Sequence, residues 1–229
     1  MIWSKIKSYL GLLHQNQYYN ADFYSEYLNS LKKHDSNQLI SDQSFVVFDT
    51  ETTGLNPEKD QILSIGAVRI FQQSIEVSDS LSIIIANQPA QNHDATAIHG
   101  LVNTASQGIQ KEEAIAKFFK YIGSDILVGH HVAFDLTMIN NLSRQCGGGQ
   151  LKNPTLDTSY LAKRLDHATD PHSLESNAYT LDKLCTRYNV IPKARHTADG
   201  DAFITALVFI KILQRLHHRG INTRGQLLK

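Results

Sequence analysis

Cysteine is scarce in this 229-residue chain, with only Cys146 and Cys185, far apart and in no CxxC pair. That spacing excludes a disulfide framework and a cysteine zinc site. There is no apolar run near the roughly 20 residues that a membrane-spanning helix needs. The opening MIWSKIKSYLGLL has two lysines inside its apolar stretch, so it reads as a short amphipathic helix rather than a secretion signal. A cytoplasmic location is the expectation, with no membrane partner. Internal repeats, low-complexity tracts and a Gly-rich phosphate loop are also missing, and the last of these argues against a nucleotide or sugar-phosphate phosphatase.

Net charge is lacking too: 22 basic residues balance 22 acidic ones. A protein that holds nucleic acid by bulk electrostatics would be basic, because phosphate neutralisation dominates such binding. The balance is uneven along the chain. From Phe203 to Lys229 there is no acid, while Lys211, Arg215, Arg219, Arg224 and Lys229 are basic. Either a basic face or a solvated helix with a frayed tail fits that pattern.

What is present is an ordinary globular composition, 41% hydrophobic and 19% charged, long enough for one α/β domain with some added helix. Residues 1–43 predict an N-terminal helical extension of one or two helices, with HDSNQ at 34–38 as a linker. An extra helix packed on the sheet is the default for it, with a docking element or a dimer contact as the other readings. An α/β domain is expected over 44–218, and a basic C-terminal tail over 219–229. Within the domain FVVFDTE reads as a buried strand, and QILSIGAVRIF and SDSLSIIIAN as two more. QKEEAIAKFFKYIG carries one apolar stripe of a helix. DILVGH is a strand, FDLTMINNLSRQC a helix closed by glycines 147–149, and a long helix runs from about Asp199 to His218. Strands first, then strands alternating with helices, predict a mixed sheet flanked by helices.

Asp49 and Glu51 lie two apart on a strand, so both carboxylates share one face. They end an apolar run, where unpaired charge is costly. A divalent cation relieves their repulsion, and oxygen donors of this kind suit Mg²⁺ or Mn²⁺. Asp135 falls in the first turn of a helix, where it could equally serve the helix dipole or cap the terminus. His196, Asp199 and Asp201 in HTADGDA could be a loop histidine and two rival caps. His130 and His131, read as a tandem pair in a strand, would point to opposite faces and so would not bind one metal.

Together these stretches are specific. FDTETTGL (Phe48 to Leu55), GHHVAFD (Gly129 to Asp135) and HTADGDA (His196 to Ala202) resemble, in order and spacing, the three motifs of the DEDDh family of 3′→5′ exonucleases, which includes the proofreading epsilon subunit of bacterial DNA polymerase III. IHGL (Ile98 to Leu101), LDTSYLAKRL (Leu156 to Leu165) and TLDKLCTRYNV (Thr180 to Val190) resemble further stretches of the family. The likeness covers about three quarters of the chain, from Phe45 to Leu213.

The resemblance implies a ribonuclease-H-like fold and two divalent metal ions, Mg²⁺ or Mn²⁺, held by Asp49, Glu51, Asp135 and Asp201. His196 would be the general base, a role that suits an imidazole titrating at about 6.5. Thr50, Thr53, Gly54 and Leu55 would cradle and wedge the terminal nucleotide. His99 would sit near the pocket for the 3′ end, or be a turn histidine before Gly100. Phe134 could stack on a base, as single-strand readers use aromatic platforms, or simply pack in the core. Asp157 would be a structural acid behind the ligands. His131 departs from the family's usual Asn, which alters the hydrogen bonding expected at that strand end. The implied substrate is the 3′ end of nucleic acid, single-stranded DNA first, with RNA trimming as the alternative; a proofreading role would need a separate polymerase partner. A non-catalytic binding protein on the same fold is the remaining reading, disfavoured because all five catalytic positions are intact.

Overall fold

The computed structural model describes residues 22–86, 108–166 and 176–229. Its sheet has five strands: β1 (Phe45–Thr52), β2 (Ile62–Phe71), β3 (Ser74–Ile84), β4 (Ile126–Gly129) and β5 (Thr155–Asp157), in the order β3-β2-β1-β4-β5. The first three form an antiparallel meander, while β4 and β5 join parallel to β1. The helices are α1 (22–30), α2 (Lys111–Ile122), α3 (Ala133–Gln145), α4 (Thr158–Asp166), α5 (Leu181–Tyr188), α6 (Ala198–His218) and α7 (Arg224–Leu227). This is the mixed sheet with flanking helices that the sequence predicts. No helix among the described residues is long and apolar enough to cross a membrane.

Strand β1 is central and buried on both faces, which explains why FVVF reads as a continuous apolar run. The two-residue pleat sorts its side chains. Phe45 and Val47 join the core made with α4, α5 and α6, and Val46 and Phe48 join the core made with α1, α2 and α3. Phe45 meets Phe209 of α6 edge-on at 5.1 Å, and Phe48 meets Phe118 of α2 at 5.4 Å. Burying four such side chains contributes on the order of 2 kcal/mol each.

One close approach needs glycine. Gly66 of β2 pairs with Asp49, and a Cβ there would lie 2.3 Å from the Ala198 carbonyl carbon. Its absence lets the first turn of α6 settle directly against the sheet.

Three features differ from the sequence expectation. The β2–β3 connection is a two-residue hairpin at Gln72 and Gln73, with φ 49° and 62°. Turns of that type favour Asn-Gly or Gly, so two glutamines gave no turn signal and β3 begins four residues before the expected SDSLSIIIAN. The linker and the tail are not loose ends. The Arg224 amide donates to the Gln38 carbonyl (2.8 Å), the Gly225 amide to Ser36 (2.7 Å) and the Ile40 amide to Asn222 (2.9 Å). Arg224 is buried with its guanidinium on Gln43 Oε1 (2.7 Å), and Leu227 enters the core, so Arg224 is not part of a basic face. Helix α1 packs on α2 rather than on the sheet: Phe23 and Tyr27 stand edge-on to Phe119 at 5.5 and 4.7 Å, and Tyr27 donates to Asn153 Oδ1 (2.6 Å). The expected helix at the very start of the chain, like His99, lies outside the described residues.

Candidate active site

The alternation that sorts β1 into two cores continues past Phe48. Asp49 and Glu51 fall on the face of Phe45 and Val47, towards α6, whereas Thr50 falls on the face of Val46 and Phe48, towards α3. Asp201 is in the first turn of α6 and buried, and one carboxylate oxygen each of Asp49, Glu51 and Asp201 lies within 4.8 Å of the others. Such a group of hard oxygen donors is able to hold a divalent metal ion.

Asp135 approaches from the other side. It is buried in the first turn of α3, and its Oδ1 accepts from the Thr50 amide (3.0 Å) and the Thr50 hydroxyl (2.5 Å). It stands outside the group of three, with Oδ1 occupied by Thr50. Neither Asp135 nor Asp201 is a helix cap: α3 has no side-chain cap, and α6 is capped by Thr197, which accepts from the Gly200 amide at 3.1 Å. Asp199 instead accepts from Ser82 of β3 (2.6 Å).

Crowding of acids shows in their proton affinity. Burial, reinforced by Asp135, Asp201 and Glu51, holds the Asp49 carboxyl well above the usual carboxylate range. Burial pushes Asp135 up to about 6, with the Thr50 hydrogen bonds opposing the rise. Like charges in a desolvated site disfavour ionisation, and a cation would reverse that. The donor set therefore fits the metal ions implied by the sequence.

A cavity of about 470 Å³ opens beside the acids, lined by Asp49, Thr50, Glu51, Thr53, Gly54, Leu55 and Phe134 among others. It thus brings together every described residue that the sequence assigned to the terminal nucleotide. Leu55 is 86% exposed, an apolar side chain standing in solvent next to charged groups. Its loop is organised by Asp60, which the sequence reading did not single out. Asp60 accepts from the Thr53 hydroxyl (2.8 Å) and from the Asn56 amide (2.8 Å), and Gly54 leaves room for its carboxylate. A larger cavity, about 680 Å³, lies between α1 and α2, away from the acids.

The two histidines of GHHVAFD are not a tandem pair in a strand. Strand β4 ends at Gly129, and His131 takes the left-handed region (φ 55°), so the rings lie 4.3 Å apart and line the same cavity. The Thr158 hydroxyl donates to the Gly129 carbonyl (3.3 Å), which leaves it to accept from His130 Nδ1 (2.9 Å). Burial and His131 bring the His130 pKa down to about 4, so it is neutral at neutral pH. Neither ring belongs to the metal-ligating group. Asp157 is a structural acid: it accepts from the Val132 amide (2.9 Å), the Ser159 amide (2.8 Å) and the Ser159 hydroxyl (2.7 Å), tying the 131–132 turn to the start of α4.

His196 sits on the loop before α6 in the left-handed region (φ 62°), its side chain exposed and its backbone amide on Asp201 Oδ2 (3.3 Å). Its neighbour Arg195 is a second residue missed by the sequence reading. Arg195 pairs with Asp201 through Nη1 and with Asp182 of α5 through Nε (2.8 Å).

A mixed sheet with flanking helices, and acids gathered at the end of its central strand and on two helix N-termini, is the ribonuclease-H-like arrangement. A family model described as Exonuclease matches residues 46–209, and the chain belongs to that family. It is 36% identical over 193 residues to a DNA polymerase III subunit epsilon-like protein of Rhodobacter capsulatus, covering 81% of this chain and 26% of that protein. It is 29% identical over 188 residues to the DNA polymerase III subunit epsilon of Aquifex aeolicus, covering 82% and 87%. This chain therefore spans about a quarter of the Rhodobacter relative but most of the Aquifex one. The fold is similar to E. coli exonuclease I in complex with a dA16 oligonucleotide, with a TM-score of 0.63 at 17% identity over 77% of this chain and 42% of that one.

Proposed function

We propose that this chain is a 3′→5′ exonuclease that hydrolyses phosphodiester bonds at the 3′ end of single-stranded DNA, with Asp49, Glu51, Asp135 and Asp201 holding two Mg²⁺ or Mn²⁺ ions and His196 as general base. The observation that carries this reading is the convergence of Asp49, Glu51 and Asp201 within 4.8 Å, with Asp49 and Glu51 lining a cavity that the exposed Leu55 also lines. Bound there, divalent ions supply the positive charge that a phosphodiester displacement needs on its attacking and leaving oxygens. The chain's own groups do the rest. Leu55 and Phe134 offer apolar surface to the last base and its neighbour, a sequence-tolerant contact. Thr50 fixes Asp135 from two directions, so that this carboxylate keeps its place as charge develops. His196 accepts the proton of the attacking water at a ring nitrogen, and its loop position allows the ring to reach the site.

The dA16 oligonucleotide bound by E. coli exonuclease I favours a single strand as substrate. The epsilon names of the relatives favour work beside a separate polymerase. The test is digestion of 5′-labelled single-stranded DNA, duplex DNA and RNA with Mg²⁺, Mn²⁺ or EDTA. Stepwise shortening of single-stranded DNA, abolished by EDTA, is expected. Activity in EDTA would overturn the metal reading, and a preference for RNA would move the substrate assignment to RNA trimming.

A further inference from the structure

The Asp201 carboxylate is fully engaged. Its Oδ1 is paired with the Arg195 guanidinium, and its Oδ2 accepts from the His196 amide (3.3 Å). Yet Asp201 is the acid that completes the group of three with Asp49 and Glu51. An incoming divalent ion and Arg195 therefore compete for the same carboxylate, and as like charges they repel one another at close range.

Three observations say how this competition would resolve. Arg195 has a second partner, Asp182, whose side chain is 65% exposed, so it has a charge to retain when it leaves Asp201. Residues on either side of it, Ala194 (φ 57°) and His196 (φ 62°), hold left-handed backbone that non-glycine residues rarely adopt. Apart from its contacts to Asp201 and Asp182, the loop is closed on itself, the Thr197 hydroxyl donating to the Ala194 carbonyl (2.8 Å) beside Gly200.

We propose that Arg195 is a built-in counter-ion that occupies Asp201 until a divalent ion displaces it, so that metal binding and release of the His196 loop are one event. This rests on the metal reading of the acidic group. Arg195 is a positioning residue: its pairing holds the loop in its resting form, and its transfer to Asp182 alone frees His196 to approach the substrate.

The sign of one measurement separates this from a purely scaffolding role. Mn²⁺ binding is followed by calorimetry and by loss of the free-ion EPR signal, for the wild type, Arg195→Gln and Arg195→Lys, with Asp49→Asn as the binding-deficient control. Glutamine keeps a donor for Asp201 but removes the competing charge. Arg195→Gln is expected to bind Mn²⁺ about tenfold more tightly than wild type at low salt, with Arg195→Lys in between, and to melt at a lower temperature in EDTA. Equal or weaker Mn²⁺ binding by Arg195→Gln, with binding intact in the wild type and lost in Asp49→Asn, overturns the counter-ion role and leaves the metal site standing. A wild type that binds no Mn²⁺ overturns both. Should Arg195→Gln fail to fold, as judged by circular dichroism, Arg195→Lys decides by the same sign.

Discussion

Asp135 and Asp201 are the same kind of residue in the same kind of place, each buried in the first turn of a helix that abuts β1, yet they are held in opposite ways. Asp135 is fixed by neutral donors, the amide and hydroxyl of Thr50. Asp201 is fixed by a cation that an ion can replace. The difference follows from the pleat. The α3 side of β1 presents the Thr50 donors to its acid, whereas the α6 side presents two further acids to Asp201, so Asp201 is the one that needs a counter-ion. One carboxylate is built into the frame, and the other is exchangeable.

Removing either acid tests both halves of that contrast. Asp135→Asn and Asp201→Asn are each expected to lower turnover by a thousandfold or so, by analogy with the loss of a transition-state charge partner. In EDTA at pH 7 they should part company. Asp135→Asn keeps its Thr50 contacts and sheds a strained charge, whereas Asp201→Asn leaves Arg195 with Asp182 alone, so the Asp135 variant should have the higher Tm by calorimetry.

The second prediction is a pH dependence. The folded-state pKa of Asp135, about 6, lies above its unfolded value of 3.8, so the folded protein binds the extra proton. Metal-free stability should therefore fall as pH rises from about 4 to about 6, by up to ~3 kcal/mol from this group. Denaturant melts in EDTA across that range check it, and Asp135→Asn should flatten the slope. A slope unchanged in Asp135→Asn would show that other carboxylates carry it.

Smaller effects probe how each helix is seated. Gly66→Ala places a Cβ against the Ala198 backbone and should push α6 off the sheet, costing about 1–3 kcal/mol. It should weaken Mn²⁺ binding through Asp201 while leaving the Asp135–Thr50 contact alone. Thr50→Val removes the hydroxyl donor to Asp135 and should cost about 1 kcal/mol. Because that bond opposes the rise in the Asp135 pKa, the variant's carboxyl should titrate higher, which carboxyl NMR can follow.

Much of this arrangement was legible in the sequence, because it depends on periodicities. A period of two put Asp49 and Glu51 on one face, and the apolar run before them marked a strand buried on both sides. The order of strands and helices gave the mixed sheet. The cavity gathers Thr50, Thr53, Gly54, Leu55 and Phe134, residues that the motif resemblance had singled out. What was hidden depends on chain geometry without a residue signature. Gln72 and Gln73 form a tight hairpin with no turn residue, and His131 turns the chain where a strand was expected to continue. Arg195 and Asp60 look like surface charges until the fold brings Asp201 to one and Thr53 to the other. The 219–229 tail looked unattached because Arg224 and Leu227 find their partners some 180 residues back or across the core.

That last pairing also bears on the connectivity of the domain. Residues 36–40 and 222–225 lie side by side, so the chain from β1 to α6 is a closed circuit in space. A nick at the exposed Gln72–Gln73 hairpin should therefore leave the sheet assembled, because the two ends of this circuit stay hydrogen-bonded across the seam.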